Sequence, residues 1–150
     1  RFGHDFNPAG VELPLAALPL TEKTVADRMR AAGYRTGLVG KWHLGGGTGE
    51  FNPVSRGFDE FFGYVSAAAF ITKPEPGDET VDLPGEPPLR ANRFFRNREP
   101  VQAEGYLTEI ETREALAFLD RNHQKPFFLT VTYHAPHVPL QATRKYIERV

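Results

Sequence analysis

Cysteine is absent from all 150 residues, which excludes a disulfide framework, a thiol nucleophile and a Cys-ligated zinc site within this sequence. No run reaches the ~18 consecutive apolar residues of a membrane span. The apolar opening over residues 11–20 is interrupted by Pro14 and Pro19. Charge of neither sign dominates: the formal net charge is -1, and the basic residues form no run, so there is no electrostatic footprint for nucleic acid. A basic n-region followed by an apolar core is also missing from the start of the sequence, hence no signal peptide is expected. The chain opens abruptly on Arg1-Phe2-Gly3-His4 and stops within an expected helix over residues 144–150, and both ends read as truncations. The length suffices for one ordinary domain with its own core.

What is present alternates helix and strand. Thr21 as N-cap, Val25 and Met29 at i and i+4, and Gly33 as a stop predict a helix over residues 22–32. A strand over residues 36–39 follows. Residues 45–63 are turn-rich, and their aromatics Phe58, Phe61 and Phe62, with Tyr64, are expected to pack into the core. Prolines and charges dominate residues 72–102, an exposed excursion inside which Asn92 to Phe95 forms an edge strand turning at Asn97-Arg98. A second helix is expected from Tyr106 or Leu107 to Asn122, with Ile110, Ala117 and Phe118 on one side and Leu116 and Leu119 widening the stripe. Pro126 then opens a strand through Tyr133, rich in aromatic and β-branched residues. Two helix-then-strand units indicate an α/β protein, a layered sheet with helices on both faces.

Two segments carry chemistry. In Gly33-Tyr34-Arg35-Thr36-Gly37-Leu38-Val39-Gly40-Lys41-Trp42-His43-Leu44-Gly45, an apolar run leads into Gly40 and then to a lysine and a histidine two positions apart. In extended backbone Lys41 and His43 would share a face, with Trp42 turned into packing. A fixed cation beside an imidazole suits an anionic substrate and proton transfer, and the flanking glycines would let backbone approach a ligand closely. The second segment is His134-Ala135-Pro136-His137-Val138-Pro139-Leu140, immediately after the later strand. Ligands of α/β folds bind outside the carboxyl ends of strands. If the two strands are near neighbours, both segments converge on one crevice. His4 and His123 are isolated and suit surface or structural roles.

The first segment resembles the second signature of the sulfatase family, G-Y-x-T-x-x-x-G-K-x-H, at nearly every position. Pro136-His137 followed by x-Pro-Leu after a strand is similar to a later sulfatase element. The similarity extends to Arg1-Phe2-Gly3-His4-Asp5-Phe6-Asn7-Pro8, to Leu18-Pro19-Leu20-Thr21 and to the helix beginning near Tyr106, covering most of the chain apart from the Pro-rich excursion. By this resemblance residues 1–150 would be part of one incomplete alkaline-phosphatase-like (sulfatase) catalytic domain, with both ends truncated and 72–102 as an excursion within it.

The resemblance implies hydrolysis of sulfate esters, of sulfated carbohydrates or aryl sulfates, by a formylglycine made from a cysteine or serine in a C/S-x-P-S-R-type motif. It also implies a calcium ion that neutralises sulfate charge. Lys41 would then bind the nucleophile and a sulfate oxygen. His43 would hydrogen-bond the formylglycine hydroxyl and help eject sulfate, and His137 would bind sulfate and assist the leaving group. His134 stands where relatives vary and receives no role. The nucleophile motif is missing: Ser55 and Ser66 are the only serines, and Pro53-Val54-Ser55-Arg56 merely echoes it. Asp5, Asp59 and Asp78 match no calcium pattern of the family, so no metal ligand is assigned. Formylglycine and calcium ligands are expected outside these residues, and the 150 residues alone are expected to be inactive. Family habit would place the protein in the periplasm or outside the cell. The expected partner is a sulfate-ester substrate, including sulfated glycans.

Other readings remain open. A phosphodiester or phosphonate monoester hydrolase of the same superfamily would share the sheet, and a non-catalytic protein could keep the fold to bind sulfated glycans. A P-loop fails because Arg35 stands where a glycine is needed and Trp42 where Ser or Thr is needed. A zinc site from His134 and His137 lacks a visible third ligand.

Overall fold

The computed structural model describes residues 17–65, 76–81, 93–137 and 140–150. The opening segment with His4 and Asp5, Ser66, most of the 72–102 excursion, and Val138 and Pro139 lie outside the described residues.

Helix α1, Val25–Ala31, begins three residues later than expected. Thr24, not Thr21, is the N-cap: it accepts from the Asp27 N–H while the Asp27 carboxylate accepts from the Thr24 N–H, a reciprocal capping box. Only Ala26 of this helix is fully buried, and Val25 is exposed. Gly33 follows with a positive φ of 88°, the left-handed conformation that ends helices.

Strand β1, Arg35–Lys41, is two residues longer at its carboxyl end than expected and includes Lys41. Strand β2, Glu60–Tyr64, lies in the region read as turn-rich; it pairs parallel to β1 with Gly37 beside Glu60 and Lys41 beside Tyr64. A strand buried on both faces shows no alternation, so the run Glu60-Phe61-Phe62-Gly63-Tyr64 carries no period-two signal. The short β3, Glu79–Val81, pairs with β7, Leu140–Ala142. Strands β4, Phe94–Arg96, and β5, Glu99–Val101, pair across the expected turn at Asn97, whose φ is 56°, but β4 is not the edge strand expected: it lies between β2 and β5, and β5 forms the edge. This hairpin is not an exposed excursion. It completes the sheet next to β2, with Phe94 and Phe95 buried.

Helix α2, Leu107–Asn122, and strand β6, Phe127–Thr132, fall where the sequence put them. The chain closes with α3, Arg144–Ile147. The main sheet has the order β5-β4-β2-β1-β6, with β2, β1 and β6 parallel. Helix α2 covers one face, where Val39, Phe62, Tyr64, Phe94, Leu107, Ile110 and Ala115 form one cluster. Helix α1 covers the other, where Ala26, Leu38, Trp42, Phe58, Phe61 and Phe95 form a second. The α/β architecture with a helix on each face is as expected, and so is the packing of the four aromatics. The buried stripe of α2 differs: Leu116 is 55% exposed, while Glu111 is buried among Leu107, Ile110, Ala115 and Phe118.

Candidate active site

Strands β1 and β6 are hydrogen-bonded neighbours, with Gly40 beside Thr132. Their carboxyl ends are tied further by the Thr132 hydroxyl, which lies 2.7 Å from the Lys41 carbonyl and 3.3 Å from that of Val39. The neighbourhood that sequence reasoning had to assume is therefore present. Gly40 has a positive φ of 106°, and a Cβ on it would run into the Thr132 carbonyl oxygen. A Cβ on Gly37 would meet the Phe118 ring at 2.5 Å, and one on Gly45 would meet Phe51. These glycines were expected to admit a ligand. What they admit is the neighbouring strand, the covering helix and the following loop.

The lysine and histidine are placed differently from a simple extended run. Gly37 and Val39 face α2, so alternation puts Lys41, the last strand residue, on that face. Trp42 turns to the opposite face, as expected. It is 7% exposed, its ring meets Phe58 edge-on at 6.0 Å, and its Nε1–H donates to the Phe51 carbonyl at 2.9 Å. His43, however, leaves extended geometry: its φ is 56°, a left-handed conformation uncommon for a non-glycine residue. Its backbone N–H donates to the Val65 carbonyl at 2.9 Å, and Trp42 N–H to that of Tyr64 at 2.9 Å. The backbone thus follows β2 past the formal strand end while the His43 side chain turns outward, exposed to solvent.

His137 reaches the same region from β6. Its N–H closes a turn on the His134 carbonyl at 2.9 Å, across the cis Ala135-Pro136 bond, and its ring stacks on that of His134 at 4.8 Å. Electrostatics ties the three groups together. His43 is exposed but partly desolvated on its inner side, and that partial desolvation, then the charge of Lys41, then that of His137 hold its imidazole below the ordinary 6.5. Lys41 is itself held below its ordinary 10.5 by burial. Lys41 and His137 are thus both near enough to His43 to disfavour its protonation.

Beneath this cluster lies a buried polar group that sequence reasoning missed. Glu111 is 1% exposed, and burial pushes its carboxyl up to about 7, opposed by bonds from the His134 backbone N–H and the Tyr64 hydroxyl. The Tyr64 hydroxyl stands 3.4 Å from Oε1 of Glu111, and Oε2 is buried with no hydrogen-bond partner. Burial and the neighbouring carboxylate push the Tyr64 phenol upward. The Tyr64 ring also meets the His134 ring edge-on at 5.6 Å. One signal was available: Glu111 sits four residues after Leu107 and four before Ala115, inside the apolar stripe of the helix.

The remaining sequence candidates have structural work. Asp59 accepts from the N–H and the hydroxyl of Thr36 at 2.9 and 3.1 Å, and Asp78 accepts from the Arg144 N–H at 3.0 Å. The Ser55 hydroxyl donates to the Gly49 carbonyl and accepts from Arg98, and buried Arg56 donates to the carbonyls of Pro19 and Glu22. His123 caps the end of α2 through contacts of Nδ1 with the Leu119 and Asp120 carbonyls. Among the described residues no group of three or more His, Cys, Asp or Glu is placed to hold a metal ion, so this donor set does not fit calcium. No described helix is long and apolar enough to cross a membrane. A cavity of about 200 Å³ lies among Glu60, Arg96, Glu114 and Arg121, and none of the three site residues lines it.

Taken together, the parallel strands and the helix on each face define an α/β protein in which Lys41, His43 and His137 lie at the carboxyl ends of adjacent strands. The family model described as Sulfatase matches residues 1–150, and the chain belongs to the sulfatase family. It is 31% identical over 140 residues to N-acetylgalactosamine-6-sulfatase of Mus musculus, covering 89% of this chain and 26% of that protein. It is 36% identical over 132 residues to an arylsulfatase of Hemicentrotus pulcherrimus, covering 82% and 23%. The chain therefore spans about a quarter of the length of these relatives. Among solved structures, Ps i-CgsB superimposes with a TM-score of 0.74 at 28% identity, over 89% of this chain and 31% of that one. A protein solved with its substrate D-glucosamine-2-N,6-O-disulfate gives 0.54 at 25% identity, over 82% and 20%.

Proposed function

We propose that this chain contributes the sulfate-binding and proton-handling groups of a sulfuric ester hydrolase that acts on sulfated carbohydrates or aryl sulfates. The observation that carries the reading is the adjacency of parallel strands β1 and β6, whose carboxyl ends lead to Lys41 and His43 on one side and His137 on the other, with Lys41 and His137 near enough to His43 to disfavour its protonation. Hydrolysis of a sulfate ester breaks the bond between sulfur and the bridging oxygen, gains water, and gives an alcohol or phenol and sulfate. Negative charge spreads over the sulfate oxygens, and fixed donors placed for that charge stabilise the transition state. The Lys41 ammonium, partly dehydrated, faces a sulfate oxygen. His137 donates to the sulfate group and supplies a proton to the departing oxygen. His43, whose surroundings disfavour its cationic form, is neutral near pH 7 and takes up a proton as sulfate is released.

A sulfatase's formylglycine supplies the attacking oxygen, and its calcium neutralises sulfate charge. Neither group is provided by the residues described here. Cysteine is absent and Ser55 is bonded into a loop. In this reading both groups come from chain beyond residues 1–150. The substrate class follows the relatives, one of which was solved with a disulfated glucosamine as its substrate.

The test is made in the full-length protein. Lys41→Ala, His43→Ala and His137→Ala should each lower kcat on an aryl sulfate by on the order of 10²-fold or more, the usual effect of losing one such donor. Near-normal turnover of all three refutes the assignment. Parallel assays on an aryl phosphate separate this reading from a phosphodiester or phosphonate hydrolase: equal or faster phosphate cleavage overturns it, and no cleavage of either ester would identify a binder.

A further inference from the structure

A carboxylate that folding removes from water without a cation or a full set of donors is costly to keep. Glu111 is such a group. It belongs to α2, which carries none of the three residues assigned above. The His134 N–H on its carboxyl belongs to the first residue of the turn that ends at His137. The Tyr64 hydroxyl belongs to the residue paired with Lys41 across β1 and β2. Three elements therefore share one buried polar contact, whereas the other polar links of α2 to them, Arg121 and Asn122 to Glu60 and Thr112 to Tyr133, lie at exposed or partly buried positions. From there a ring path leads outward, Tyr64 edge-on to His134 at 5.6 Å and His134 stacked on His137 at 4.8 Å.

We propose that Glu111 is a positioning residue for His137: its buried carboxyl fixes the backbone of His134, and the His134 ring, held between Tyr64 and His137, sets the orientation of the His137 imidazole. The proposal rests on reading His137 as a sulfate-binding group. An apolar side chain would suffice to fill the space between α2 and β2. A carboxyl is needed only to accept from an N–H at the head of the turn, and two rings stacked 4.8 Å apart move together when that N–H is released. With burial holding the carboxyl at about 7, a large share is neutral at physiological pH, so a glutamine is a close substitute.

The experiment uses the full-length protein labelled with ¹³C-histidine, with the His137 ring signal assigned by its loss in His137→Gln. In Glu111→Gln the His137 signal should overlay that of the wild type and kcat should stay within about 3-fold. In Glu111→Leu the signal should move and kcat should fall roughly 10- to 100-fold, as for a misplaced catalytic group, with KM changing by less than about 3-fold. Glu111→Met, which keeps an unbranched side chain of similar length but cannot accept from that N–H, should move the same signal and decides the matter if Glu111→Leu does not fold. An unmoved His137 signal in either folded variant overturns the proposal, as does equal damage from Glu111→Gln and Glu111→Leu. Should the wild type cleave no sulfate ester, the proposed function fails, while the His137 signal still decides the positioning role.

Discussion

At the scale of single residues, the same glutamate makes a prediction about stability that needs no assay of activity. The carboxyl of Glu111 ionises near its ordinary 4.5 in an unfolded chain and at about 7 in the folded one. Below pH 4.5 it is protonated in both states and costs nothing extra. Between 4.5 and about 7 the unfolded chain releases the proton while the folded chain keeps it, so stability falls as pH rises, and above 7 the penalty is constant. At ~1.4 kcal/mol per pH unit the interval between those values is worth on the order of 3 kcal/mol. Denaturant titrations from pH 4 to 8 should show this decline in the wild type and a shallower one in Glu111→Gln, the difference between the two curves being the contribution of Glu111. Parallel curves would mean that the carboxyl ionises normally in the fold. The tyrosine and the His134 N–H that face it limit the shift but do not reverse it, because burial is the largest cause.

At the scale of elements, α2, β6 and the strand and turn up to Asn97 were legible, whereas β2, β5 and the start of α1 were not. Helix α2 has a period, and β6 has a run of β-branched and aromatic residues after a proline; both signals are local. Strand β2 exists because β1 and the hairpin sandwich it, and nothing local distinguishes Phe61-Phe62-Gly63-Tyr64 from an aromatic loop. The α1 boundary turned on a choice between Thr21 and Thr24, and only Thr24 has an acidic residue three positions on to complete the box. That signal was present and was missed. The glycines were legible as special but not as to their purpose. Gly40 is required where β1 meets β6: a Cβ there would press on the Thr132 carbonyl, and its φ of 106° disfavours any side chain. Gly40→Ala should therefore cost at least ~2 kcal/mol, from strain and overpacking together. It should also disturb the pair of strand ends that hold Lys41 and carry the chain to His137. The check is a lower denaturant midpoint together with a moved His137 ring signal. An alanine variant with unchanged midpoint would show that the two strands can part at no cost.

At the scale of the whole molecule, the site belongs to no single element. Lys41 ends β1, His43 lies in a left-handed turn beyond it, and His137 follows β6; their meeting depends on the parallel pairing of two strands whose registers are set about ninety residues apart, Gly40 against Thr132. The motifs singled out these three residues in the sequence, because each stands at or just beyond the carboxyl end of a strand. Glu111 was not singled out, since a glutamate in a helix is ordinarily a surface residue and its burial follows from how α2 is seated. The same reasoning separates binding from turnover in a protein consisting of residues 1–150. Its cationic groups are present, but the sequence has no cysteine to become formylglycine, and Ser55 is held by Gly49 and Arg98. That protein should release no sulfate from an aryl sulfate ester. Sulfate should nonetheless bind, and its dianionic charge should favour the protonated forms of the groups around it. The His43 imidazole, which titrates below 6.5 because partial desolvation, Lys41 and His137 oppose its charge, should then titrate at higher pH when sulfate is added, as read from its ¹³C-labelled ring signal. Sulfate release by these residues alone would place a nucleophile among them. A His43 titration indifferent to sulfate would mean that the cluster does not face the anion.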